Sequence, residues 1–87
     1  MTMISKELCD EINAQVGREF GASLQYVSIA TYFDGQSLKK LADLFYKQAA
    51  EEQEHAMKFV KYIVDTGGDV VIPPVAAPKA KFASAEE

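Results

Sequence analysis

Two long stretches of this chain repeat apolar residues at the spacing of one helical face. In the first, Leu8, Ile12, Val16, Phe20, Val27 and Ala30 form the stripe, which predicts an amphipathic helix from about residue 5 to residue 33. Ser5 is placed to cap its free backbone N–H groups, and Glu7 lies in the first turn, where negative charge is favoured. Such a helix is a rod about 43 Å long. Gly17 and Gly21 each lower its propensity by up to about 1 kcal/mol, so packing must help hold it, and a second helix can approach closely there. Asp34-Gly35-Gln36 reads as a turn and Ser37 as the cap of a second helix, running from about Leu38 to Thr66. Gly67-Gly68 supplies a left-handed stop. A connection as short as residues 34–37 makes the two helices antiparallel neighbours.

From Asp69 onward the periodicity stops. Val70-Val71-Ile72-Pro73-Pro74 and the later Pro78 favour an extended, polyproline-like path. Some fifteen residues at about 3.3 Å each reach roughly 50 Å, enough to carry the chain back along either helix. Ser84 and Glu87 then have the spacing of a capping box, as if a third helix were about to start. Two amphipathic helices in a hairpin leave a broad apolar seam uncovered. The expectation is therefore an all-α, single half-domain over residues 1–87: an antiparallel two-helix hairpin with an extended, Pro-rich crossover at 67–87. A longer chain or a second copy would complete it to a four-helix bundle.

At 87 residues the chain has room for one small core, which is only marginally stabilising alone. The net charge of −4, with no basic patch, argues against a nucleic-acid partner. One cysteine, Cys9, allows no internal disulfide and suits a reducing compartment. No apolar run is long enough to span a bilayer and no signal peptide is evident, so a cytoplasmic setting is expected.

One stretch breaks the amphipathic logic. Within Ala49-Ala50-Glu51-Glu52-Gln53-Glu54-His55-Ala56, Glu52 projects within about 40° of Leu41, Phe45, Ala56, Phe59 and Ile63 on the helical wheel. His55, three residues on, shares its face. In the first helix Glu19 lies within about 20° of Leu8, Ile12, Tyr26 and Ala30. An inward carboxylate without a partner costs several kcal/mol, so such acids are normally paired or bound to metal. In a hairpin turning near residue 35, Glu19 lies about 16 residues before the turn and Glu52 about 17 after it, so the two come out level. Carboxylate oxygens with one imidazole suit iron, manganese or zinc. One Glu from one helix with Glu-x-x-His from the next is half the ligand set of a di-iron carboxylate bundle, and a two-fold pair of chains would supply the whole. Tyr26, two turns after Glu19, could orient a ligand or donate an electron, or be a core tyrosine. Glu51 stands at the edge of the cluster, where it could lead ions in or form an outer site, but both it and Glu54, able to pair with Lys58, read more simply as a solvated face.

The stretches Glu11-Ile-Asn-Ala-Gln-Val-Gly-Arg-Glu19-Phe20 and Ser23-Leu-Gln-Tyr26 resemble helix A of the bacterial, haem-free ferritins. Phe45-Tyr-Lys-Gln-Ala-Ala-Glu-Glu52-Gln-Glu-His55-Ala-Met57 is similar to their helix B, with Asp65-Thr-Gly67 at its end. The resemblance covers about residues 5 to 87 and implies a ferritin-like four-helix bundle with a long crossover after the second helix. It implies Fe(II) oxidation by dioxygen or peroxide (a ferroxidase) and iron storage within a homo-oligomeric shell. By position, Glu19, Glu52 and His55 match ligands of the first iron, Tyr26 the tyrosine beside the centre, and Glu51 a ligand of an accessory third site. Gln53 stands where bacterioferritins carry a haem-binding methionine, which implies no haem. The family's two further helices have no counterpart in these residues. Encapsulated ferritins, in which two-helix subunits pair to build the iron site, show how a homodimer or a partner chain would complete this one. The competing expectation is a helical assembly module, or a ferritin remnant that binds metal without turnover.

Overall fold

The computed structural model describes residues 3–82. It contains two helices, α1 (Lys6–Gly35) and α2 (Lys39–Asp65), packed antiparallel in a body of 52 × 20 × 14 Å. Among the described residues no helix is long and apolar enough to cross a membrane. The capping-box spacing at Ser84 and Glu87, and the third helix read from it, lie outside the described residues.

Ser5 caps α1, its Oγ accepting from the Leu8 N–H at 3.2 Å, which satisfies one of the donors that a helix start leaves open. Both helices then end in the same way. At α2, Gly67 takes φ +80°, its N–H donates to Val64 O, and Gly68 N–H donates to Ile63 O at 2.9 Å. This is a Schellman stop. At α1 the residue in the left-handed position is Ser37, φ +60°, with Ser37 N–H on Asp34 O and Leu38 N–H on Phe33 O. Ser37 therefore does not cap α2 as its residue type suggested: it terminates α1. The α2 N-cap is Leu38, whose side chain makes no capping hydrogen bond. α1 accordingly runs through Asp34 and Gly35, which the Gly-containing sequence had placed in the turn.

The core between the helices follows a seven-residue repeat in each. Cys9, Val16, Ser23 and Ala30 are buried along α1, and Ala42, Ala49, Ala56 and Ile63 along α2. Buried small residues every seventh position form a narrow seam of the coiled-coil kind and let the backbones approach closely. Ser23 shows how closely: its Oγ donates across the seam to the backbone carbonyl of Ala49 at 2.8 Å. Near the turn the seam is filled by rings, with Phe33 stacked on Phe45 at 5.6 Å between centroids and Tyr26 against Phe45 at 5.8 Å.

After Gly68 the chain runs back along α1 in extended conformation. Asn13 holds it with both ends of its amide: Nδ2 donates to Asp69 O at 2.9 Å, and Oδ1 accepts from Val71 N–H at 2.8 Å. Gln25 does the same further on, accepting from Lys79 N–H at 3.0 Å. Pro73 lies on Gly17, where an added Cβ would come within 2.4 Å of the proline ring, and Val75 lies over Gly21. The close approach at these glycines is made by the extended tail and not, as expected, by another helix.

Candidate metal centre

Glu19 comes from the middle of α1 and Glu52 and His55 from the middle of α2. Each offers one ligand atom, and those atoms lie within 4.8 Å of one another. His55 Nδ1 is 3.8 Å from Glu19 Oε2 and 3.8 Å from Glu52 Oε1, too far for hydrogen bonds. Donor atoms around one tetrahedral metal ion are spaced about 3.4 Å apart, so a small inward movement of the side chains would make three ligands of them. The two carboxylates are mostly buried, at 14% and 21% side-chain exposure, whereas the imidazole is half exposed.

The position of the acids on their helices sets this environment. Ile63 and Ala56, on one flank of Glu52, are fully buried in the seam, while Leu41, on the other, is 42% exposed. Glu52 therefore stands at the border between the closed seam and an uncovered apolar face. That face includes Leu41, Leu44, Phe59 and Tyr62 of α2 and Leu8 of α1. It also holds an open hollow of about 370 Å³ between Leu8, Ile12, Phe59 and Tyr62.

Each of the two carboxyls shifts the other's ionisation. A hydrogen bond to Glu19, together with burial and the Glu19 charge, raises the Glu52 pKa. The same hydrogen bond, opposed by burial and aided by Gln15 and His55, lowers that of Glu19. Two acids this close cannot both ionise easily unless a cation joins them. The donor set, two carboxylate oxygens and one imidazole nitrogen, is the kind that holds a divalent first-row metal.

Of the other residues singled out from sequence, Tyr26 is half-buried against Phe45. Glu51 is half-buried and is not one of the three convergent residues. A participant that the sequence reading passed over is Gln15, whose Nε2 donates to Glu19 Oε1 at 2.8 Å. Its spacing of four residues from Glu19 was the available signal.

Residues 9–87 match the family model for the ferritin-like domain, and the chain belongs to that family. It is 48% identical over 64 residues to the ferritin BfrB of Mycolicibacterium smegmatis, covering 74% of this chain and 35% of that protein. It is 37% identical over 82 residues to the bacterial non-heme ferritin of Staphylococcus epidermidis, covering 94% of this chain and 49% of that one. An open-pore ferritin from Archaeoglobus fulgidus superposes with a TM-score of 0.88 at 32% identity, over 97% of this chain and 51% of that chain. This chain spans about half the length, or less, of the curated relatives it matches.

Proposed function

We propose that this chain binds Fe(II) through Glu19, Glu52 and His55, and that two copies together form a dinuclear centre at which Fe(II) is oxidised. The observation that carries this reading is the convergence of three ligand atoms from two helices within 4.8 Å, on carboxylates that an apolar seam would not retain unpartnered. The same donors would take Mn(II) or Zn(II). Iron is favoured by the family and by its members' names as ferritins. A structural relative, a variant of PmFTN at 36% identity and TM-score 0.86, was soaked in iron.

In this reading Fe(II) is the substrate. Glu19 and Glu52 supply the negative charge that balances two ions between the copies, and His55 ends the ligand set of each. Each of two Fe(II) ions gives up one electron, and dioxygen takes both with two protons and leaves as hydrogen peroxide. Tyr26 orients a ligand or supplies a further electron, Glu51 leads ions in or forms an outer site, and a homo-oligomer retains the ferric product. The test is Glu52→Ala, expected to abolish tight Fe(II) binding; unchanged stoichiometry in that variant would overturn the assignment. A second reading is metal binding without turnover, since the three convergent ligand atoms are a set for one ion and oxidation by dioxygen in this reading needs two. Iron-dependent oxygen consumption separates the two.

A further inference from the structure

Glu19 does not face the centre alone. Gln15 lies one turn before it on α1, and its Nε2 donates to Glu19 Oε1 at 2.8 Å. The amide oxygen of Gln15 in turn accepts from Arg18 Nε at 2.7 Å. A guanidinium can only donate, so it takes the amide oxygen and leaves the amide NH₂ to face the carboxylate. Turned over, the amide would set its oxygen against Glu19 and its NH₂ against Arg18, and lose both bonds. The relay thus turns Oε1 of Glu19 toward Gln15. Oε1 accepts the Gln15 bond, and Oε2 is the atom that points to His55 Nδ1 at 3.8 Å.

We propose that Gln15, locked by Arg18, is a positioning residue that presents Glu19 to the metal with Oε2 leading. The inference rests on the metal-binding reading above and deepens it: the relay runs from exposed Arg18 through half-buried Gln15 to a mostly buried ligand. Its effect is to fix the direction of one ligand oxygen before the ion arrives. Hydrogen bonds that orient a metal ligand typically cost about 10–100-fold in affinity when removed.

The test titrates Co(II), whose visible spectrum reports its coordination, into the full chain and its variants without oxygen. Gln15→Leu is expected to weaken Co(II) binding by about tenfold or more and to change the visible band. Arg18→Met, on the exposed face, is expected to shift the same band and weaken binding severalfold, and Arg18→Lys to restore both, since its ammonium can still donate to the Gln15 oxygen. The Arg18 pair decides the matter even if Gln15→Leu fails to fold. No Co(II) binding by the unaltered chain would overturn the metal centre and this role with it. Binding by the unaltered chain that Gln15→Leu and Arg18→Met leave unchanged in strength and spectrum would overturn the role of Gln15 alone.

Discussion

The Glu52 carboxyl has an apolar seam on one side and the Glu19 carboxylate on the other, and neither setting favours its charge. Its raised pKa and the lowered pKa of Glu19 act on stability in opposite directions. Glu19, depressed, stabilises the fold above its ordinary pKa, and that contribution is lost as pH falls through its folded value. Glu52, raised, stabilises the fold below its ordinary pKa, and that contribution is lost as pH rises through its folded value. The metal-free protein should therefore lose thermal stability as pH rises past the Glu52 value. Zn(II), used as a redox-inert probe, should reverse that trend and release a proton on binding, because it needs both carboxylates ionised. A midpoint indifferent to pH and metal over that window would contradict the raised Glu52 pKa. A second residue-scale prediction concerns Asn13, buried and holding both Asp69 and Val71. Asn13→Ala should cost about 1–3 kcal/mol and release the Val71 amide to rapid hydrogen exchange; retained protection there would refute the clip. Glu19, Glu52 and His55 were legible as a group because helical spacing and a short turn are enough to make them level. Asn13 was not, because helical periodicity carries no record of what an extended backbone alongside will demand.

At the scale of elements, the two Schellman stops invite a direct comparison. Gly67 takes its left-handed conformation without a Cβ, whereas Ser37 at φ +60° carries a steric cost of roughly 1–2 kcal/mol. Allowing for the greater unfolded-state freedom of glycine, Ser37→Gly should raise stability by about 0.5–1 kcal/mol. Calorimetry would register it as a rise of a few degrees in midpoint, and a fall would show that Ser37 is not strained. Gly17→Ala should do the reverse despite alanine's better helix propensity, since its Cβ would meet the Pro73 ring at 2.4 Å. Displacing the tail should cost about 1–3 kcal/mol; a stabilised Gly17→Ala would mean that the tail yields freely. The helices themselves were legible from their stripes. What the stripes concealed was their division: one flank is the buried heptad seam of Cys9, Val16, Ser23 and Ala30 against Ala42, Ala49, Ala56 and Ile63, while Leu8, Leu41 and Tyr62 on the other remain open. A broad apolar face reads the same whether one neighbour covers it or two.

For the whole molecule, that open flank is the feature that the hairpin cannot resolve within itself. It runs alongside Glu19, Glu52 and His55, so a copy covering it would bring a second set of the same three ligands toward the first and withdraw the apolar surface from water. In the proposed function, assembly and iron binding are therefore one event, and ligand binding to the assembled state should strengthen assembly by mass action. Sedimentation with and without Fe(II) under anaerobic conditions should show a metal-dependent shift toward dimers or larger species, and iron bound by an unassociated chain would separate the two. The most direct test of the central claim is to titrate Fe(II) without oxygen into the purified protein and count the tightly bound ions. The proposed centre predicts about one per chain, two shared by each pair of copies, and its loss in Glu52→Ala. An absence of tight binding would contradict it and leave the three convergent ligands as a structural inheritance from the ferritin-like fold.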